Sequence, residues 1–245
     1  RNGFATLRNK IYVFKPTHQC ADYFYLLKDK IEFKIEKELC RDAIKPNTLK
    51  SEAEINEHTD KLIFPYRIVD GNHNLFNENK SILEIFEEVY METNFPFAYE
   101  YLKTQKDDLS KRDKGNKKYE KWYAFGRNQA LTISCSKLLL PYITNEPRFV
   151  FTDNKDLLFY NGYAILSNDT EKLLVLQKIL MSKVFWFYIE HTSKPYAGNY
   201  FSVAKNYIKN FGICDLTEIE KQTLLRMNNK EEIDFKQLFS YSLFF

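Results

Sequence analysis

The sequence predicts an α+β fold of mixed strands and several helices, closed by a helical C-terminal tail. Three observations lead there. Short runs of β-branched and aromatic residues concentrate in the first two thirds of the chain. Stretches with apolar residues three and four positions apart lie between and after them. No strict strand–helix–strand alternation and no repeat orders either kind.

The strands are expected at Ile11-Tyr12-Val13-Phe14, Leu62-Ile63-Phe64, Arg148-Phe149-Val150-Phe151 and Gly162-Tyr163-Ala164-Ile165-Leu166. Ile31, Phe33 and Ile35 alternate with charged residues, the pattern of a strand with one solvated face. Ser81 and Glu84 form a capping box ahead of Ile82, Leu83, Ile85, Phe86 and Val89, which predicts a helix. Pro96 suits the first turn of a helix running through Tyr99, Leu102 and Leu109. The polar stretch Leu109 to Tyr119 reads as an exposed loop. Asp169 or Thr170 caps a long helix through Leu173, Leu176, Ile179, Leu180, Val184 and Phe187. Thr217 with Glu220 opens another through Leu224 and Leu225. A last helix is expected from about Glu231, with Ile233, Leu238 and Phe239 on its apolar side. The chain thus divides into residues 1–216 and a helical extension, 217–245.

A chain of 245 residues holds one large or two small domains, and 44% hydrophobic content supplies a core. Only 7 Gly and 7 Pro exclude a linker or low-complexity chain. Net charge is +3, from 36 basic and 33 acidic residues, so any attraction to nucleic acid must be local. Cys20, Cys40, Cys135 and Cys214 include no Cys-x-x-Cys pair, which points to idle thiols in a reducing cytoplasm. His18, His58, His73 and His191 show no metal-ligand spacing. The most apolar stretch, Leu173 to Ile189, is interrupted by Lys178 and Lys183 and reads as a buried helix, not a membrane span. No secretory signal opens the chain. It begins at Arg1 and moves at once into patterned sequence, as a piece of a longer protein would.

The segment from Lys111 to Gln129 carries the clearest functional signal. Between Lys111 and Lys121 stand six basic and two acidic residues. Lys111, Arg112, Lys114, Lys117 and Lys118 suit phosphate oxygens, and Trp122 suits base stacking. Arg127, Asn128 and Gln129 are the side chains that pair bidentately with guanine or adenine edges, and Gly126 before them permits close backbone approach. The plainer reading is a solvated loop followed by Trp122 and Phe125 packed in a core. A second candidate, His191 to Phe201, mixes Lys194 with Tyr196 and Tyr200 in a loop able to touch phosphates or base edges. Its plainer reading is a connection that ends a helix and tucks its rings inward.

Enzyme signals are weak. Asn94-Phe95-Pro96-Phe97 is similar to the Asn-Pro-Pro-Tyr motif of amino-methylating enzymes, but Phe95 replaces the first proline and Pro96 fits a helix start. No Gly-rich strand-to-helix turn offers a cofactor cradle. Glu32-Phe33-Lys34 has nuclease-like Glu-x-Lys spacing without a convincing metal-binding Asp upstream. Two rivals to nucleic-acid recognition therefore stand: a metal-dependent nuclease using Glu32 and Lys34, and a protein-interaction module built on exposed aromatics. RNA recognition through stacking is a variant of the leading reading.

Several segments resemble, in order, the TaqI-like C-terminal specificity domain of N6-adenine DNA methyltransferases and fused type II restriction–modification enzymes. Gly3-Phe4-Ala5-Thr6-Leu7-Arg8-Asn9-Lys10-Ile11-Tyr12 is similar to its opening signature, and Leu62-Ile63-Phe64-Pro65-Tyr66 to its apolar-Pro-Tyr strand. Phe95-Pro96 with Tyr99, Tyr101 and Leu102 resembles the following helix. Leu109, Lys111, Arg112 and Trp122 to Gln129 match the central block, followed by Lys137-Leu138-Leu139 and Pro141. Leu180-Met181-Ser182-Lys183 resembles the Leu-Asn-Ser-Lys helix, with Met181 in place of Asn. The resemblance spans roughly Gly3 to Asn210. It implies a target-recognition domain gripping double-stranded DNA, beside an N-terminal methyltransferase domain of the parent protein. That domain would bind S-adenosylmethionine and methylate a flipped adenine. No cofactor and no catalytic residue is then expected in this chain.

Overall fold

The computed structural model describes residues 1–69, 81–213 and 215–227. Strands and helices are mixed along the chain, an α+β arrangement. The helix expected from Glu231 lies outside the described residues, as do His73 and Cys214.

The first half is assembled around rings. Its main sheet runs in the order β1 (Val13–Phe14), β5 (Thr59–Ile63), β4 (Cys40–Ile44), β11 (Leu158–Phe159), antiparallel except for the last pair. Two antiparallel pairs accompany it: β2 (Tyr23–Lys28) with β3 (Ile31–Glu36), and β6 (Tyr66–Val69) with β7 (Ile82–Ile85). Its helices are α1 (Asn9–Tyr12), α2 (Ile55–His58), α3 (Glu88–Asn94), α4 (Pro96–Thr104) and α5 (Lys106–Ser110). Phe125 sits among Phe4, Tyr12, Phe64 and Tyr66, with ring centroids 4.9 to 6.3 Å apart and three of the four pairs edge-on. Such pairs suit the ring quadrupoles.

Three expectations are corrected here. Ile11 and Tyr12 belong to the helical turn α1, and only Val13 and Phe14 join a sheet. Ser81 and Glu84 open no helix. Ile82 to Ile85 pair with β6, and Glu84 meets Arg67 across the strands at 2.7 Å. The helix starts later, at Glu88, because cross-strand pairing outweighs the local capping pattern. The helix at Pro96 stops at Thr104, and Leu109 belongs to α5.

Pro96 does occupy the first turn of α4. The buried carboxylate of Glu36, at the end of β3, accepts from the amides of Phe97 and Ala98, both at 2.9 Å. A negative group there also meets the positive end of the helix dipole. Glu36→Ala is expected to cost about 2 kcal/mol in urea unfolding. A cost under about 0.5 kcal/mol would leave the start of α4 to Pro96 alone.

The second half holds an antiparallel sheet in the order β10 (Val150–Thr152), β8 (Ser136–Leu140), β12 (Tyr163–Ser167) and a smaller one in the order β13 (Pro195–Tyr196), β14 (Tyr200–Ser202), β9 (Ile143–Thr144). With them go α6 (Thr170–Leu180), α7 (Lys183–Thr192), α8 (Lys205–Ile208) and α9 (Glu218–Arg226). Asp169 caps α6 by accepting from the Lys172 amide at 3.0 Å. The expected single long helix is two. Ser182 donates back to the Ile179 carbonyl and accepts from the Phe185 amide, ending one helix and capping the next. Leu140, Phe149, Leu173, Leu180, Phe185 and Ile189 form the core beneath them. Thr217 and Glu220 make the expected capping box, and Leu224 of α9 packs with Val175 and Ile179 of α6.

The N-terminal segment stitches the halves together. Asn2 bridges to Tyr163, Phe4 to Tyr160 and Ala5 to Arg127. Gly3 passes so close to β11 that a Cβ would lie 2.3 Å from the Phe159 carbonyl oxygen, so only glycine fits. No helix among the described residues is long and apolar enough to cross a membrane.

Candidate nucleic-acid interface

After α5 the chain makes a tight turn, Arg112–Gly115. Asp113 (φ 46°), Lys114 (φ 58°) and Gly115 (φ 75°) all lie in the left-handed region. For the two non-glycine residues this costs roughly 1–2 kcal/mol each. Arg112 holds the turn. The residue is 1% exposed, and its guanidinium donates to the carbonyls of Leu109 (2.9 Å), Thr6 (3.5 Å), Trp122 (2.6 Å) and Ala124. It also lies 4.1 Å over the ring of Tyr119, whose hydroxyl donates to Asp113 at 2.5 Å. Arg112 is therefore not a phosphate ligand, a correction to the sequence reading: its donors are spent on the backbone it organises.

Trp122 is corrected as well. Its half-buried indole packs on the first core, donates to Glu88 at 2.7 Å and lies under the ammonium of Lys106. The ring is part of the packing, not a stacking platform. The indole and the Tyr99 hydroxyl, both donating to Glu88, hold its carboxyl below the usual carboxylate range. Lys121 pairs with Glu87 at 2.6 Å.

The remaining lysines are displayed. Lys111, Lys114, Lys117 and Lys118 are exposed. Lys111 stands 3.7 Å from Asp108, a surface pair worth little. Lys114 and Lys118 meet no carboxylate among the described residues. Lys117 donates to the Gly126 carbonyl at 3.1 Å, which ties the basic turn to the start of Gly126-Arg127-Asn128-Gln129.

That tetrapeptide is fixed by its backbone. Ala5 and Arg127 exchange two hydrogen bonds, at 2.9 and 3.2 Å. Gly126 does permit a close approach, but to this chain's own Leu7, whose side chain lies 2.4 Å from where a Cβ would be. The three following side chains are exposed to different degrees of commitment. Arg127's guanidinium has no hydrogen bond or ion pair with a described residue. Asn128 accepts from the Tyr66 hydroxyl at 3.3 Å and keeps its amide donors. Gln129 donates to the Gly3 carbonyl at 3.0 Å and keeps its acceptor.

The second candidate loop is a β-hairpin. Tyr196 pairs with Tyr200 across Ala197-Gly198-Asn199, with Gly198 (φ 75°) and Asn199 (φ 57°) left-handed. Tyr196 and Tyr200 remain exposed at the surface, and the Lys194 ammonium lies 5.2 Å over the Tyr196 ring. Strand β14 leads within a few residues to Lys205 of α8.

The residues weighed for catalysis have local duties. Asn94 donates to the Tyr90 carbonyl at 3.0 Å. Glu32 accepts from Thr17 and faces His18 at 3.5 Å, and Lys34 lies over the rings of Tyr23 and Phe97.

One feature escaped the sequence reading. Gln129 lines a cavity of about 720 Å³ together with Arg1, Asn2, Tyr163, Lys205 and Lys209. A signal for it exists in Lys205-Asn206-Tyr207-Ile208-Lys209-Asn210, where a Lys-Asn pair recurs after one helical turn.

No protein-family profile matches the chain. Over 203 residues it is 26% identical to the type II restriction enzyme and methyltransferase RM.Eco57I of Escherichia coli. The alignment covers 76% of this chain and 19% of that enzyme, so the chain spans about a fifth of the relative's length. The likeness relates the chain to a restriction–modification protein.

Proposed function

We propose that the chain is a double-stranded DNA target-recognition domain of a restriction–modification protein, of the TaqI-like specificity class. It works beside an N-terminal methyltransferase domain, which binds S-adenosylmethionine and modifies adenine. The chain supplies grip and sequence choice, and turns over no substrate itself. The observation that carries this reading is Arg127: an uncommitted guanidinium projecting from a backbone locked to Ala5, on a chain related to a restriction–modification enzyme. An Arg carried on a fixed backbone is the side chain best shaped for a guanine edge. Asn128 and Gln129 follow it. Lys111, Lys114, Lys117 and Lys118 take phosphates, and Lys194, Tyr196 and Tyr200 form a second contact.

Selection from a randomised duplex pool identifies the preferred site. On that site Arg127→Ala is expected to cost about 1–3 kcal/mol, with little loss on random duplex. Lys118→Ala, by contrast, should weaken all sequences alike and lower the salt slope by about one unit. Equal losses on preferred and random DNA for Arg127→Ala would remove its base-reading role.

A further inference from the structure

The cavity beside Gln129 has an unusual charge balance. Three cationic side chains, Arg1, Lys205 and Lys209, line it, and no carboxylate among the described residues does. The polar remainder is neutral: the amides of Asn2, Gln129 and Asn206 and the phenol of Tyr163. Lys205 and Lys209 are exposed, stand one helical turn apart and pair with no carboxylate among the described residues. Like charges gathered at one concave site repel one another and concentrate field lines, so an anion there is favoured. At about 720 Å³ the space exceeds the needs of a single small ion. A second, apolar cavity of about 230 Å³ shares Arg1, Tyr163, Lys205 and Lys209 with it and adds Leu140, Ile165, Val203 and Ile208. Charge, amides and a neighbouring apolar wall are together the complement of a phosphodiester with its sugar.

We propose that this cavity seats the DNA backbone, with Lys205 and Lys209 as phosphate ligands and Gln129 at the border with the base-reading residues. The proposal rests on the reading of the chain as a DNA-recognition domain and extends its footprint. Gln129 lies two residues after Arg127, and Lys117 is bonded to Gly126, so basic turn, base-reading strip and cavity follow one another along the chain. The hairpin of Tyr196 and Tyr200 connects to the cavity through α8.

The test uses the full 245-residue chain and a fluorescent 30-base-pair duplex, titrated at several salt concentrations. Lys205→Ala/Lys209→Ala should lower the slope of log K against log salt by about 1.8, at about 0.9 per phosphate contact. Affinity should fall alike on preferred and random duplexes, so their ratio is kept. Lys205→Arg/Lys209→Arg should retain the wild-type slope. Both lysines are surface residues, so the urea midpoint should not move. A double-alanine variant with wild-type affinity and slope overturns the cavity assignment, and Arg127→Ala still losing its preferred site in the same assay leaves the recognition reading standing. A wild-type chain that binds no duplex defeats that reading itself. Binding to single-stranded RNA in preference to duplex, lost in the double-alanine variant, assigns the cavity to a different polymer and also overturns the proposal.

Discussion

Arg112→Ala is expected to destabilise the chain by about 3–5 kcal/mol, although the residue sits inside a run of exposed lysines. Its guanidinium satisfies the carbonyls of Thr6, Leu109, Trp122 and Ala124, which belong to three separate stretches of chain. Removing it strands the carbonyls of Thr6, Trp122 and Ala124, leaves Leu109 to the Lys111 amide alone, and empties the space beside Tyr119. It also releases the two left-handed non-glycine residues that the turn holds in place. For a domain whose total stability is about 5–15 kcal/mol, that loss is a large share. Arg112→Lys should rescue little, because one ammonium cannot span four acceptors that a planar fork reaches. Lys114→Ala, two residues away, should stay within about 0.5 kcal/mol. Urea unfolding of the three variants checks the ranking. A loss under about 1 kcal/mol for Arg112→Ala, with weakened DNA binding, would return the residue to the phosphate-contact set.

The contrast between Arg112 and Lys118 shows where sequence reasoning reaches its limit. Both sit in one basic run, and periodicity does not tell a buried guanidinium from an exposed ammonium. Burial of Arg112 depends on carbonyls contributed by Thr6 and by Trp122 to Ala124, which is tertiary information. Local signals held where the structure has no competing partner. Pro96 at the start of α4, Asp169 before α6 and the Thr217–Glu220 box are all seen. They failed where a partner strand existed, as when β6 claimed Ile82 to Ile85. The alternation of Ile31, Phe33 and Ile35 marked β3 correctly, although Ile31 is exposed at the hairpin end. The aromatics of Trp122-Tyr123-Ala124-Phe125 followed the plainer of the two readings, as core. Arg127 to Gln129 remain at the surface. The backbone anchor of Arg127 on Ala5, 122 positions earlier, was not legible in the sequence.

Stability should fall steeply above pH 10, and tyrosines are the reason. Tyr12 and Tyr101 are fully buried and donate to the carbonyls of Tyr123 (2.9 Å) and Ile11 (2.8 Å). Tyr66, also buried, accepts from the Phe125 amide at 2.5 Å and donates to Asn128. Burial pushes all three phenols far above the ordinary value of 10. Because the folded values are raised, the stabilising contribution is complete below pH 10. Above it the unfolded chain sheds these protons while the folded chain keeps them, and stability drops toward the folded values. Each tyrosine adds about 1.4 kcal/mol per pH unit to the fall, about 4 kcal/mol per unit for the three. Tyr12→Phe and Tyr101→Phe should each flatten the alkaline slope by one such increment, whatever they do to stability at neutral pH. Urea midpoints from pH 9 to 12 read the slopes directly. If neither substitution changes them, these hydroxyls are not sealed from water. Because Tyr66 joins the Phe125 backbone to Asn128, the same loosening reaches the frame that carries Arg127.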